Sequence, residues 1–171
     1  MARDRQSIVK MSRREGYALH PKAHKALVKR TSKPGQSANA RGPRGGKTSQ
    51  YSLQLREKQK VKRLYGLLEK QFSNLMKEAN RREGQSGQVL LTLLEQRADN
   101  AVYRAGLAPS RRAARQLVTH GHFMLNDVRV DIPSIRLKAG DKLEVRAHSL
   151  KTEYFKNLDD VSPAPSEIPG W

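Results

Sequence analysis

At Gly121 the spacing of apolar residues changes from three or four to two, which limits the chain to a fold with helices before this point and a small sheet after it. Upstream, Ala113, Ala114, Leu117 and Val118 mark one side of a helix. Ser110 is placed to cap its start, because the hydroxyl can accept from an unpaired first-turn N–H, and Gly121, just past His120, is placed to end it. Downstream, His122-Phe123-Met124-Leu125 and Val128-Arg129-Val130 flank Asn126-Asp127, the pattern of a hairpin. Alternation resumes at Ile135-Arg136-Leu137, turns at Ala139-Gly140-Asp141 and continues through Leu143 and Val145. The expected class is α+β, with a small antiparallel sheet on two helices.

The helix from Arg111 to His120 is cationic on its other side. Arg111, Arg112 and Arg115 lie within about 100° of one another around the axis. They crowd the first turns, where the helix dipole disfavours positive charge, and a nearby RNA phosphate would offset that cost. A variant lacking all three is expected to fold normally and to bind RNA with a weaker salt dependence. A preceding helix is expected from about Gln88 to Ala105, with Leu91, Leu94, Ala98, Ala101, Val102 and Ala105 facing inward and Gly106 breaking it. Further upstream, Val61, Leu64, Tyr65, Leu68, Phe72, Leu75, Met76 and Ala79 recur at helical steps, predicting one amphipathic helix from Ser52 to Arg82 with Gly84 as its stop. Arg56, Lys60 and Arg63 share a face beside that stripe and could follow a phosphate backbone.

The charge is unevenly distributed. Of 171 residues, 34 are Lys or Arg and 16 Asp or Glu, a formal net charge of +18. Residues 1–70 hold 19 of the cations and 4 of the acids, hence +15, against +3 for the remainder. A polyanion is the natural partner, because neutralising phosphates releases condensed counterions. Within the basic part, Thr31 to Gln50 is rich in Gly, Pro, Ser and Asn and almost free of large apolar residues, so it cannot pack a core of its own. It reads as an arm that orders when Lys33, Arg41, Arg44 and Lys47 meet phosphates. The end, Asn157 to Trp171, is acidic, Pro-rich and without periodicity, and reads as irregular.

Several chemistries are excluded or disfavoured. The chain has no cysteine, which removes disulfides, thiolate metal sites and cysteine nucleophiles together. His20 and His24 are spaced for one helical face, but Pro21 lies between them and no third ligand is near, so no metal site is assigned. No run approaches the roughly 20 apolar residues of a membrane span, and Met1 to Lys10 lacks the apolar stretch of a secretory signal, which points to the cytoplasm. The carboxylates Glu57, Glu69, Glu95 and Asp99 stand at helical positions beside basic residues and read as ion pairs or solvated charges.

The string Arg111-Arg112-Ala113-Ala114-Arg115-Gln116-Leu117-Val118, with His120-Gly121, Leu125-Asn126 and Gly140-Asp141, resembles the small RNA-binding module named after ribosomal protein S-four. That module also occurs in pseudouridine synthases, a tyrosyl-tRNA synthetase and a heat-shock ribosome-binding protein. Ser12-Arg13-Arg14-Glu15-Gly16, Pro34-Gly35-Gln36 and above all Gln54-Leu55-Arg56-Glu57-Lys58-Gln59-Lys60-Val61, with Tyr65-Gly66 and Gln71-Phe72, make the chain similar to the bacterial-type family of small-subunit ribosomal protein four from Met1 to about Arg146.

The resemblance implies a non-enzymatic structural component of the small ribosomal subunit, built as a helical domain with the module inserted. It implies direct binding to small-subunit (16S-type) rRNA at a multi-helix junction and nucleation of subunit assembly. It also implies small-subunit proteins five and three as neighbours, and a role in translational accuracy through protein five. No cofactor, small-molecule substrate or membrane partner is implied. Family members usually run on past the position of Trp171, and that part carries some of the contact with protein five.

The expected organisation is a basic, largely irregular arm over 1–50, a helical domain over 51–90, the module over 91–148, and a return segment with an irregular tail over 149–171. Residue reading and resemblance together place Arg3, Arg13, Arg14, Lys33, Arg41, Arg44, Lys47, Arg56, Lys60, Arg63, Arg111, Arg112, Arg115, His120 and Asn126 against rRNA. Two alternatives differ in class. A module-bearing RNA-modifying enzyme would need a catalytic domain for which the chain has no room. A free ribosome-associated factor would wash off purified subunits in moderate salt.

Overall fold

The computed structural model describes residues 6–30, 32–35 and 49–162. The chain divides into two compact units, 1–72 and 73–171. In the first, α1 (Ile8–Glu15), α2 (Pro21–Lys29) and α3 (Gln50–Leu64) precede the start of α4 (Glu69–Ala79). The stretch expected to be a largely irregular arm therefore contains two helices. Pro21 at the first helical position of α2 is compatible with the helix because its missing N–H would be unpaired there anyway. His20 caps α2, its Nδ1 accepting from the Lys22 N–H at 3.0 Å.

Helix α1 packs on α2 and on α3. Met11, Leu19 and Ala23 are buried, as are Tyr65, Leu67 and Phe72. The hydroxyl of buried Ser12 accepts from the Leu19 N–H at 3.2 Å, fixing the turn between α1 and α2.

The single helix expected from Ser52 to Arg82 is two. Gly66 has φ +63°, and the Gly66 and Leu67 N–H groups return to the Arg63 and Lys62 carbonyls, closing α3 on a left-handed residue. The stripe concealed the break, because both helices are amphipathic and the turn between them happens to keep the helical step.

In the second unit, α5 (Ser86–Glu95), α6 (Ala98–Arg104) and α7 (Arg111–Thr119) precede a sheet of β1 (Phe123–Leu125), β2 (Val128–Val130) and β3 (Leu143–Val145). The helix expected over Gln88–Ala105 is interrupted at Gln96–Arg97. There the backbone turns extended and pairs with a distant segment: Ala98 N–H donates to Ile135 O at 2.8 Å, and Leu137 N–H to Gln96 O at 2.8 Å. Ile135–Leu137, expected as a strand, contributes only a bridge between Arg97 and Arg136. Leu90, Leu93 and Leu94 of α5 are buried, whereas Leu91 and Ala105, expected inside, are exposed.

The sheet has the order β2-β1-β3 and is antiparallel throughout, with Phe123 opposite both Val130 and Val145. Asn126 and Asp127 both take positive φ, +48° and +66°, the backbone of a two-residue hairpin turn matched to strand twist. The core gathers Val102, Ala108, Ala114, Val118, Phe123, Val130 and Phe155.

Phe155 was not expected there. Residues 147–161 form three short helical turns, α8 (Ala147–Leu150), α9 (Glu153–Lys156) and α10 (Leu158–Val161), which return the chain to the module. Phe155 meets Phe123 edge-on with centroids 6.3 Å apart, and Tyr154 donates from its hydroxyl to Leu107 O at 3.1 Å. Burying a phenylalanine of this kind contributes about 1.5–3 kcal/mol, so the return segment belongs to the module's stability. The helical turn Leu158–Val161 also corrects, as far as Val161, the irregular reading of the tail that begins at Asn157.

Candidate nucleic-acid interface

The first turn of α7 is built as its sequence suggests. Ser110 Oγ accepts from Ala113 N–H at 3.2 Å, Ala114 and Val118 face the core, and the arginines fall on the other side. The anion that offsets their charge is, however, internal. Arg115 Nε stands 2.8 Å from Asp99 Oδ2, and Arg97 holds the same carboxylate with two hydrogen bonds, at 3.0 and 2.9 Å. Arg111 Nε donates to Asn100 Oδ1 at 2.8 Å and lies over the Tyr103 ring, 4.6 Å from its centroid. Glu95 is gripped by Arg104 at 2.8 and 3.0 Å and receives the Asn100 amide at 2.6 Å.

Asp99 and Asn100 are buried. The carboxylate would be strongly destabilised there without its two guanidinium partners. The expectation that a variant lacking Arg111, Arg112 and Arg115 folds normally is therefore corrected: two of the three stabilise the module itself. Arg112 is exposed on the same helix, as is His120 at its end.

Asn126 also has an internal task. Its amide donates to Asp141 Oδ1 at 3.0 Å and accepts from Lys142 N–H at 2.9 Å, tying the hairpin turn to the entry of β3. The Asn126 amide and the Lys138 N–H hold the Asp141 carboxyl below its usual range.

In the first unit the row on α3 turns inward. Arg56 and Arg63 both bind Oε1 of Glu15, whose side chain is wholly buried; Arg56 does so at 3.3 Å. Glu15 Oε2 is buried without a hydrogen-bond partner among the described residues. Lys60, between the two arginines, pairs with Glu57 at 3.2 Å and lies 5.3 Å from the centre of the Tyr17 ring. The solvated-charge reading of Glu57, Glu69, Glu95 and Asp99 gives way to the ion-pair reading in every case, with Glu69 bound by Lys58 and Lys62 and thereby held below the usual carboxylate range.

Arg13 donates twice to Ser32 O, at 3.1 and 2.9 Å, fastening the chain beyond α2. Arg14 and Lys33 are exposed. Arg3, Arg41, Arg44 and Lys47 lie outside the described residues.

The cationic face that sequence reasoning missed is on α2. Lys22, Lys25 and Lys29 are exposed, and none forms an ion pair or side-chain hydrogen bond with another described residue. Their i, i+3, i+7 spacing puts them in one line along the helix. The signal is present in Pro21 followed by that spacing, but the composition of residues 1–50 reads as an irregular arm and hides it.

The geometry is thus of two kinds: arginines consumed by buried acids, which build the units, and lysines without acidic partners, which face solvent. Residues 3–95 match the family described as "Ribosomal protein S4/S9 N-terminal domain", and residues 96–143 match the "S4 domain". The chain is 51% identical over 169 residues to the small ribosomal subunit protein uS4 of Chlorobaculum tepidum, covering 99% of this chain and 79% of that one. It is 52% identical over 176 residues to the protein of the same name from Pelodictyon phaeoclathratiforme, covering 100% and 82%. With the Clostridioides difficile relative, also named uS4, identity is 51% over 168 residues, covering 95% and 79%. Both family matches and relatives at half identity over nearly all its length place this chain in the uS4 family of small ribosomal subunit proteins.

Proposed function

We propose that this chain is a non-enzymatic structural constituent of the small ribosomal subunit, in the cytoplasm, which binds small-subunit rRNA directly at a junction of several RNA helices and thereby nucleates assembly of the subunit body. The observation that carries the direct-binding part is the α2 face of Lys22, Lys25 and Lys29, exposed and without acidic partners in a unit dominated by positive charge. Three lysines in line suit a phosphate backbone, which is recognised by position and charge. Shape is the natural determinant, since folded RNA junctions present phosphates and 2′-hydroxyls more readily than base edges.

The acids support the non-enzymatic reading. Glu95 and Asp99 are committed to guanidinium partners as structural ion pairs. Contact with small-subunit proteins five and three, and an effect on translational accuracy through protein five, belong to this proposal and rest on family membership.

The test is binding of the whole chain to protein-free small-subunit rRNA, read by backbone footprinting. Protection confined to one multi-helix junction is the expected result. Diffuse protection proportional to charge would reduce the proposal to non-specific binding. Loss of the protein from purified subunits in moderate salt would favour a free ribosome-associated factor.

A further inference from the structure

His120 and His122 flank the glycine that ends α7, yet only His120 is exposed. The His122 imidazole meets the return segment instead. Its Nδ1 lies 3.0 Å from Oγ of Ser149 on α8, and its ring centre stands 5.8 Å from that of Phe155 on α9. Ser149 is 2% exposed, and its hydroxyl has no other hydrogen-bond partner among the described residues. The backbone holds this serine in place: its N–H donates to Arg146 O at 2.8 Å, and its carbonyl accepts from Thr152 Oγ1 at 2.7 Å. Beside it the Arg146 N–H donates to His122 O at 2.9 Å. One imidazole thus touches both α8 and α9 from the start of β1.

The charged groups around this imidazole are cations. The His120 ring centre is 6.1 Å away, Arg146 Nη1 donates to Gly121 O at 3.2 Å, and the Arg129 guanidinium of β2 packs against Gly121. On the return segment His148, Lys151, Glu153 and Lys156 are exposed and do not pair with His122, and the Tyr154 hydroxyl is committed to Leu107 O. Only the tautomer with its proton on Nε2 gives the buried Ser149 hydroxyl hydrogen an acceptor. Protonation turns Nδ1 into a donor, leaves that hydrogen unpaired in the interior and adds a charge beside Arg146 and His120. Burial, followed by the charges of His120 and Arg146, accordingly holds the imidazole below the usual histidine range.

We infer that the His122–Ser149 contact is a pH-sensitive latch: the neutral imidazole holds the return segment on the module, and acidification loosens that segment while α7 and the sheet stay folded. The sign follows from linkage. The folded imidazole takes its proton less readily than an unfolded one, so the closed segment keeps its full stability above the ordinary value of 6.5 and loses it as pH falls below. Glu78, held down to about 2, does not titrate in this window.

The experiment is amide hydrogen exchange of the whole chain at about pH 7.5 and about pH 5.5, either side of the ordinary histidine value, with rates corrected for the intrinsic pH dependence of exchange. The Lys156 and Asn157 amides, bonded to Thr152 O and Glu153 O, report on α9; the Ala114 amide, bonded to Ser110 O, reports on α7. In the wild type, protection at Lys156 and Asn157 is expected to fall severalfold at the lower pH while that at Ala114 holds. His122→Gln keeps a polar partner for Ser149 without titrating and should show equal protection at both values. Ser149→Ala should show a smaller fall, because no buried hydroxyl is stranded. His148→Gln, which removes an exposed histidine from the same segment, should behave as the wild type. An undiminished fall in His122→Gln or in Ser149→Ala would overturn the inference, as would its loss in His148→Gln or its absence from the wild type. Imidazole NMR of the wild type keeps the test independent of variant folding: His122 titrating at or above the ordinary histidine value would overturn the latch.

Discussion

Arg115 of α7 is tied to Asp99 of α6, its Nε and Nη2 standing 2.8 and 2.7 Å from a single carboxylate oxygen. Asp99 is 3% exposed and also carries Arg97, which is 7% exposed. Both carboxylate oxygens are satisfied, so the pairing can compensate for desolvation, but removing one member leaves the others charged and buried. Asp99→Ala is therefore expected to destabilise the protein by about 3–5 kcal/mol, the cost typical of breaking a buried ion pair from one side. Chemical denaturation followed by circular dichroism measures it. A loss below about 1 kcal/mol would fall within the range of exposed pairs and would mean that the site is open to water.

The hairpin turn yields a pair of predictions of opposite sign. Asn126→Ala removes bonds to Asp141 and Lys142 at a position with φ +48° and should cost about 1–3 kcal/mol. Asp127→Gly relieves a non-glycine residue at φ +66° and should stabilise by about 0.5–1 kcal/mol, because this turn type favours Asn-Gly. Equilibrium unfolding of the two variants checks both signs, and destabilisation by Asp127→Gly would show that the Asp127 side chain has an unrecognised role.

Acid should weaken the link between α4 and the 133–137 segment. The Arg136 guanidinium, followed by Arg82, holds the Glu78 carboxyl down to about 2 from an ordinary 4.5. A carboxyl depressed on folding stabilises the folded state above its unfolded pKa, and that contribution fades as pH falls from about 4.5 toward 2. Glu78→Gln should therefore lower stability near neutrality and flatten its pH dependence within that window. Melting curves between those limits that run parallel for wild type and variant would contradict the assignment.

Much of the second unit was legible in the sequence because its signals are local. Ser110 and Gly121 bound α7, and Asn126-Asp127 makes its turn, through contacts within a few residues. The break at Gln96–Arg97 was not legible, because it is made by Ile135, Pro133 and Leu137 pairing from nearly forty residues away. The same holds for the site. Arg56 and Arg63 do share a face, as their spacing requires, but nothing nearby in the chain indicated that the face would close on Glu15. Sequence identified the arginines as a group; only the packing separates those that hold the fold from those left for a partner. The lysines of α2 were the converse case, legible by spacing but obscured by the Gly- and Pro-rich stretch beside them.

The most direct test of this division is the salt dependence of binding to protein-free small-subunit rRNA for the wild-type chain and for the Lys22→Ala, Lys25→Ala, Lys29→Ala triple variant. The three side chains are exposed and without ion-pair partners among the described residues, so the melting temperature should be almost unchanged. The log-log slope should fall by roughly 2 to 3, one phosphate contact per lysine. An unchanged slope in a folded triple variant would contradict the account, because the α2 face would then be a solvated surface and the RNA contacts would have to lie elsewhere.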